Sequence, residues 1–430
     1  MRRRVERSRF VLGKVGDVCD EIHDGLHGVR RYVDTGIPLL GVGNITESGL
    51  DLSQVNRIKP EDHARLARSQ VSKGDVLVTI TGRLGTAMVY TSGQEANLSA
   101  HVARMRVKRD HSAGYLAAYF NSSIGRHFVR LKQIGSTHPH INVNRLRDVT
   151  LVIPPRALQD AVAEAMAAAY ADSRRLKSEA GRLLASVDDY VVDHVGRNWG
   201  ADPPSRERPS APVVFEVWRH DVTRLDPKRY RWRSLQDETE GLRRLGDLLL
   251  PRREIVDRGR YPFEDLQLLT LHFDGTMEPR DTPSWRTDIK GTLYFAYPGD
   301  LVFSKIDARN GAIGVVPVDV GTAAFTAEYP VYQVQTDLLL PEYLMLVLRC
   351  SRFTALLRSV ASGHSGRRRI DRDIIEDIYI PVPPRDQQRE IVDEVQRRRG
   401  RAADLVRNAR ETVTTAKAWA EIAILGELDP

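Results

Sequence analysis

Two long stretches of this sequence can be laid over each other, landmark for landmark. GSTHPHINVNRLRDVTLVIPPRALQD, which begins at Gly135, matches GHSGRRRIDRDIIEDIYIPVPPRDQQ, which begins 228 residues later at Gly363. A Gly-Asp step at Gly74 likewise recurs 225 residues later at Gly299. Because the landmarks recur in the same order at nearly constant offset, the chain is a tandem repeat of two units of about 230 residues, and we expect both units to fold by one plan.

Each unit contains short apolar runs that are typical of β-strands. DVLVTI follows the glycine of the first Gly-Asp turn, and DLVFSKI follows that of the second. The runs VTLVI and IYIPV end at proline pairs, which cannot continue a hydrogen-bonded ladder. One apolar helix is predicted between these strands in each unit, over 113–128 and 340–353. The pattern therefore predicts two mixed α/β globules.

A long amphipathic helix is predicted after each proline pair. Small or apolar residues recur at spacings near three and four from Leu158 to Tyr190, and again from Ile391 to Trp419. Such stripes bury against a second helix of like pattern. The segment GADPPSRERPSAP (200–212) has four prolines and no apolar periodicity, which is typical of a linker.

Composition narrows the class of protein. The formal net charge of +7 allows a polyanionic partner. Two cysteines in 430 residues exclude a disulfide scaffold and fit a reducing compartment. The sequence has no apolar run of about eighteen uncharged residues and no signal-peptide pattern. We therefore expect a cytoplasmic protein without a membrane partner.

The order of the motifs resembles the specificity subunit of type I restriction–modification systems. KGDVLVTITGRLG is followed by GST…HINVNRLRD…VIPP…Q and a long helix, and the same order then recurs. TRLDPKRYRW (223–232) resembles that family's entry to a target recognition domain. The resemblance covers the chain from about Val11 to about Leu425. The second copy departs from the pattern, because GHSGRRRID replaces GSTHPHIN.

This resemblance implies a fold and a division into domains. The fold class is α/β (α+β), with two mixed α/β target recognition domains, each followed by a long helix, and the two helices paired as an antiparallel coiled coil. The implied domains are target recognition domain 1 at 1–155, spacer helix 1 at 156–199, a linker and entry to the second repeat at 200–240, target recognition domain 2 at 241–384, and spacer helix 2 at 385–426.

The resemblance also implies a function. In that family each globule reads half of a bipartite DNA site, and the helices form the docking surface for two methyltransferase subunits. The implied partners are double-stranded DNA and methyltransferase subunits, with restriction subunits as further candidates. The chain itself is then a non-catalytic subunit without a cofactor. Two alternatives stay open: a stand-alone DNA methyltransferase or nuclease with unrecognised motifs, and a protein scaffold that binds no DNA.

His138 and His140 flank a proline and raise the question of a metal site. Zinc takes four nitrogen or sulfur ligands, usually with paired cysteines. The only cysteines are Cys19 and Cys350, far apart in the chain, and the second copy keeps a single histidine here, His364. The repeat therefore favours a loop shared by both units over half of a metal site. It leaves open whether that loop packs locally or contacts DNA.

The sequence offers little support for an enzyme. DPPS at 202–205 lacks the aromatic residue with which a methyltransferase tetrad stacks a flipped base. No G-x-x-x-x-G-K-S/T loop occurs. Asp300, Lys305 and Asp307 come nearest to a nuclease cluster. However, Asp300 belongs to the repeated Gly-Asp turn, and the first copy has no counterpart of Lys305.

Polar and basic loop residues are the candidate DNA contacts. Loops on a rigid scaffold carry recognition side chains, and the arginine fork fits both phosphate oxygens and the guanine edge. The basic run at 397–401 lies on the second long helix, where exposure to solvent or contact with an acidic partner fits better than base reading. The candidates are Arg83, Ser136, Thr137, His138 and His140 in the first unit, and Lys305, Arg309, Asn310, Arg367, Arg368 and Arg369 in the second.

Overall fold

The computed structural model describes residues 1–25, 32–195, 241–257, 259–261, 266–280, 291–360 and 369–427. The predicted linker and the TRLDPKRYRW motif lie outside the described residues. The chain divides into two compact units. Unit 1 comprises Met1–Gly181 and Ala402–Pro430, and unit 2 comprises Arg182–Arg401.

Unit 1 contains eleven of the described strands and the first helices of the chain. Its strands are β1 (Val11–Lys14), β2 (Cys19–Asp24), β3 (Ile37–Leu40), β4 (Ile45–Thr46), β5 (Gly49–Leu50), β6 (Asn56–Ile58), β7 (Val76–Thr79), β8 (Ala87–Val89), β9 (Asn97–Leu98), β10 (Val102–Val107) and β11 (Thr150–Ile153). Its helices are α1 (Arg2–Glu6), α2 (Pro60–Arg65), α3 (Ala113–Asn121), α4 (Ser123–Lys132), α5 (Val143–Arg147) and the first part of α6 (Arg156–Val195).

Unit 2 repeats most of this order. Its strands are β12 (Leu242–Arg244), β13 (Leu249–Pro251), β14 (Gln267–Leu271), β15 (Met277–Pro279), β16 (Leu293–Ala296), β17 (Leu301–Phe303), β18 (Ile313–Val315), β19 (Ala323–Thr326), β20 (Val331–Val334) and β21 (Tyr379–Pro381). Its helices are α7 (Leu245–Leu248), α8 (Pro341–Arg349), α9 (Ser351–Val360), α10 (Arg372–Glu376) and the first part of α11 (Arg385–Leu425).

The two units share one sheet topology. The four-stranded sheet runs β2-β10-β7-β8 in unit 1 and β13-β20-β17-β18 in unit 2, and two-stranded ladders pair β1 with β11 and β12 with β21. Among the described strands, a parallel pair occurs once in each unit, between β3 and β9 and between β14 and β19. The mixed α/β class and the tandem repeat predicted from the sequence are confirmed.

The repeated Gly-Asp step is a turn that opens the central strand of each unit. Gly74 has φ +96° and Gly299 has φ +88°, in the left-handed region that glycine adopts without strain. The carboxylate of Asp75 accepts the backbone N–H of Ser72 at 2.8 Å, and Asp300 accepts that of Tyr297 at 2.8 Å. The aspartate thus closes the turn that its glycine allows, and β7 or β17 follows.

The prediction of a single apolar helix in each unit is wrong, because the structure has two consecutive helices there. α3 is followed by α4, and α8 by α9, with Ser122 and Cys350 between them in extended conformation. The hydroxyl of Ser122 accepts the backbone N–H of Gly125 at 3.1 Å and so begins α4. A serine that competes for backbone N–H groups favours a helix start over a helix interior.

Both long helices contribute to both units. In unit 1, Val162 and Met166 of α6 share a buried core with Ala423 and Ile424 of α11. In unit 2 the end of α6 packs in the core with the beginning of α11, through Val191, Val195, Ile391, Val392 and Val395. The last turns of each long helix therefore pack on the globule of the other repeat. Among the described helices, none is both long and apolar enough to cross a membrane.

Candidate nucleic-acid interface

In unit 1 the structure brings two predicted loops side by side. The first, at 80–86, joins β7 to β8, and the second, at 134–141, joins α4 to α5. The backbone N–H of Ile141 donates to the carbonyl of Ile80 at 3.0 Å, and Thr81 forms a bridge with His140. We call these two segments the loop pair of unit 1. It contains Arg83 and the four candidates of the histidine loop.

Unit 2 builds the same arrangement with the same bond. The N–H of Ile370 donates to the carbonyl of Lys305 at 2.7 Å, as Ile141 does to Ile80. The N–H of Lys305 in turn donates to Glu328, as that of Ile80 does to His101, both at 3.0 Å. The segments 304–312 and 369–370 form the loop pair of unit 2. Arg367 and Arg368 lie outside the described residues.

The histidine loop has a fixed backbone and exposed side chains. Ile134 and His140 exchange two backbone hydrogen bonds, at 2.7 and 3.0 Å, which close the loop at its base. Gly135 adopts φ +79°, and a Cβ at this glycine would lie 3.1 Å from the carbonyl of His138. The side chains of Ser136, Thr137, His138 and His140 are all exposed. This arrangement can present polar groups to a ligand without reordering the chain.

Arg83 is exposed, but its guanidinium is also used inside unit 1. Its Nη2 donates to the carbonyls of Val42 and Ile45, at 3.2 and 3.4 Å. Arg145, which the sequence reading did not single out, is exposed and donates from Nη1 to the carbonyls of Lys132 and Gln133, just before the histidine loop. Its position in the NRLRD stretch that follows the histidine loop was the signal available in the sequence.

Two of the candidates in unit 2 are bound through their side chains to neighbouring carboxylates. Arg369 forms an ion pair with Glu328 at 2.6 Å. Asn310 donates from its amide to Asp307 at 3.2 Å. The backbone carbonyl of Arg309 accepts Nε of Arg358 at 3.3 Å, which adds Arg358 to the basic groups at this loop pair. In the sequence, Arg358 precedes Gly363 by the same distance as Arg130 precedes Gly135.

The described residues contain no recognisable catalytic cluster. The side chain of Asp300 is 4% exposed and forms a two-pronged ion pair with Arg252, at 2.6 and 3.0 Å. Asp300 is thus a structural partner of Arg252 and of the turn, as its place in the repeat predicted. Within the described ranges, no group of three or more His, Cys, Asp or Glu side chains is placed to hold a metal ion.

The two cysteines do not supply a nucleophile. Cys19 and Cys350 are both buried. Burial raises the pKa of the Cys19 thiol to about 12 and that of Cys350 to about 11. Because the thiolate is the reactive form, neither thiol is activated at neutral pH.

Comparison with known proteins gives sequence relatives of one kind. The type I restriction enzyme EcoEI specificity subunit of Escherichia coli is 25% identical over 146 residues, which is 33% of this chain and 24% of that protein. The EcoAI specificity subunit of the same organism is 27% identical over 139 residues, which is 32% of this chain and 23% of that protein. The matched segment thus spans about a quarter of these relatives. No family model matches the chain.

A solved structure shares the fold over the whole chain. That structure was solved to explain the structural basis of complex assembly and conformational transition of the type I R-M system. The two chains superpose with a TM-score of 0.55 at 18% identity, over 97% of this chain and 98% of that chain. The resemblance to type I specificity subunits that the repeated motifs predicted is therefore confirmed in sequence over part of the chain, and the fold is shared with a chain of a type I R-M system over 97% of this chain.

Proposed function

We propose that this chain is the specificity subunit of a type I restriction–modification complex and that each unit reads one half of a bipartite DNA site. The observation that carries the proposal is the loop pair, which both units build with the same backbone hydrogen bonds around Ile80 and Lys305. The sequence relatives and the shared fold support the same conclusion.

The loop pairs have the chemistry that DNA reading needs. Arginine and lysine side chains supply contacts to phosphates, which give affinity and register but carry no sequence information. Hydroxyl, imidazole and amide groups on the same loops can form hydrogen bonds with base edges. Because the loop residues differ between the two units, while the frame that holds them is shared, the two halves of the site have different sequences.

On this proposal, the chain catalyses no reaction itself. It directs methyltransferase subunits, and restriction subunits where the system has them, to the site that it reads. Two methyltransferase subunits, one for each unit, fit the repeat. The names of the sequence relatives, which are subunits of restriction enzymes, support this kind of assembly.

The proposal is tested by mapping modified adenines in the host genome with and without the gene. We expect modification at one bipartite sequence, two short words separated by a fixed number of unread bases, that disappears when the gene is deleted. A modification pattern that does not change on deletion would contradict the proposal.

Purified chain alone separates the proposal from its alternatives. Methyl transfer or cleavage by the chain without added subunits would establish an enzyme instead. A complex with its partners that shows no salt-dependent binding to the mapped site would establish a protein scaffold. We expect neither outcome.

A further inference from the structure

A small hairpin in unit 1 joins the first loop pair to the long helices. It consists of β4 and β5, which pair Ile45 with Leu50 and Thr46 with Gly49. The hydroxyl of Thr46 donates to the carbonyl of Gly49 at 2.6 Å. The amide of Asn44 donates to the carbonyl of Asp51 at 2.8 Å, so the hairpin is closed at both ends by its own hydrogen bonds. We call residues 41–51 the hairpin segment.

At its tip the hairpin segment is bound to three helices. The carboxylate of Glu47 forms ion pairs with Arg126 of α4 and Lys417 of α11, and accepts the hydroxyl of Tyr170 of α6 at 3.2 Å. Next to it, Arg174 of α6 donates to the carbonyl of Ser48. The tip is therefore held by four side chains at once.

The electrostatics agree with this geometry. The side chain of Glu47 is 23% exposed, and that of Lys417 is 28% exposed. Burial alone would raise the pKa of Glu47, but the ion pairs with Lys417 and Arg126 hold its pKa below the ordinary value. Glu47 is thus an anion at neutral pH, fixed between two cations in a partly desolvated position.

At its base the hairpin segment holds Arg83. The carbonyls of Val42 and Ile45 both accept Nη2 of this arginine. An arginine side chain has large rotamer freedom when it is unbound, and ordering it costs about 2 kcal/mol. Two carbonyls on a rigid hairpin reduce that cost before DNA arrives. The position of the guanidinium therefore follows the position of the hairpin.

Unit 2 has no such connection among its described residues. The segment that follows β14 is a short turn, in which Asp274 accepts the N–H of Thr276 at 2.9 Å. No ion pair joins the described part of this turn to α6 or α11. Arg349 of α8 reaches the loop 304–312 instead, where it donates to Gly311 at 3.3 Å. The repeat thus supplies an internal comparison, with the connection in unit 1 and none among the described residues of unit 2.

We propose that Glu47 is a positioning residue for DNA reading by unit 1, which fixes the hairpin segment on the long helices and thereby holds Arg83 in the orientation that the first half-site requires. The inference rests on the proposed function and adds to it a link between helix residue Lys417 and the first half-site only. A change in the helices near Lys417 then alters discrimination in one half of the site and not in the other.

The test uses the full chain, three variants of the ion pairs and one control variant. Glu47→Gln removes both ion pairs of the tip, Lys417→Met removes only the one with Lys417, and Lys417→Arg keeps the positive charge. Lys177→Met, which changes an exposed lysine of α6, is the matched control. Binding is measured on the mapped site and on two DNAs, each with one base pair changed in one half-site. Discrimination at a half-site is the Kd for the DNA that is changed in that half-site divided by the Kd for the mapped site.

We expect Glu47→Gln and Lys417→Met to lower discrimination at the first half-site by about tenfold, which corresponds to about 1.4 kcal/mol. Discrimination at the second half-site stays unchanged, and Lys417→Arg and Lys177→Met behave as the wild type. Equal losses at both half-sites would assign Glu47 to general stability and overturn the proposal. Unchanged discrimination at the first half-site would overturn it as well.

A second measurement needs no DNA. Hydrogen exchange at the hairpin segment, together with NMR of the Arg83 guanidinium, reports whether the helix contact orders this arginine. We expect faster exchange and a mobile guanidinium in Glu47→Gln. If the wild type reads no DNA but the guanidinium is released in this way, the proposed function fails while the link from Glu47 to Arg83 stands. If the guanidinium keeps its order in the variant, the link itself is wrong.

Discussion

Asp188, near the end of α6, accepts a hydrogen bond at 2.7 Å from the backbone N–H of Ser351, the first residue of α9. Unit 1 contains the equivalent contact: Glu421, near the end of α11, accepts the backbone N–H of Ser123 at the start of α4. In each unit, a carboxylate from the long helix of one repeat satisfies a free N–H group in the globule of the other. The chain thus uses one capping device twice, across its repeats.

The first prediction concerns these caps. Asp188→Ala leaves the first turn of α9 without its acceptor and removes a negative charge from a helix N-terminus, so we expect a loss of about 1 kcal/mol. Hydrogen exchange should become faster in α9 and remain unchanged in α4. Glu421→Ala should do the reverse. Asp189→Ala, at the exposed neighbouring position, is the control. Equal exchange in all three variants would contradict a capping role.

The second prediction concerns acid. Because the pKa of Glu47 is lowered in the folded chain, its ion pairs contribute stability that is present above the unfolded value near 4.5 and is lost as pH falls through the folded value. We expect Glu47→Gln to cost about 1–2 kcal/mol at neutral pH. This difference in the free energy of unfolding between the variant and the wild type should disappear at acidic pH. Urea unfolding from about pH 3 to about pH 8 measures it, and a difference that is independent of pH would exclude the ion pairs as its source.

The third prediction concerns Glu328, which pairs with Arg369 at the second loop pair. Glu328→Gln frees Arg369 for a phosphate. We expect the plot of log affinity against log salt to become steeper by about one unit. Asp319→Asn removes the same charge from an exposed site elsewhere in unit 2 and is the control. An equal change of slope in both variants would show that the effect comes from the net charge of the protein and not from release of Arg369.

The fourth prediction concerns independence of the two halves of the site. Residues from about 20 to about 155, which contain the first loop pair, are exchanged for the equivalent region of a relative. We expect the first half-site to change and the second to persist, because each loop pair is built within its own unit. Genome-wide mapping of modified adenines reads both halves at once. A chimaera that altered both halves would show that the units do not read separately.

Local features of the fold followed from the sequence because short-range chemistry determines them. Gly74 and Gly299 adopt the left-handed turn that a Gly-Asp step indicates. The match between the histidine loop and its counterpart predicted a loop shared by both units, and the structure adds that Ile141 and Ile370 donate to the same strand end in each unit. These inferences needed only the repeat and the conformational preferences of a few residue types.

Contacts between distant residues were beyond the same reasoning. Glu47 and Lys417 are 370 residues apart, and neither lies in a repeated motif, so nothing in the sequence pairs them. Arg369 stood out as part of a basic cluster, but its partner Glu328 comes from a different loop. The break between α3 and α4 was missed because the apolar spacing continues across Ser122, while a single hydroxyl decides where the second helix begins.

The sharing of the long helices has a consequence for biosynthesis. Unit 2 is one continuous stretch, from Arg182 to Arg401, and can close on the ribosome as soon as that stretch has emerged. Unit 1 must wait, with Val162 and Met166 uncovered, until residues 402–425 have been translated, because these carry the rest of its core. A premature stop or frameshift shortly after Arg401 therefore leaves unit 2 intact and damages unit 1, although most of unit 1 is translated first.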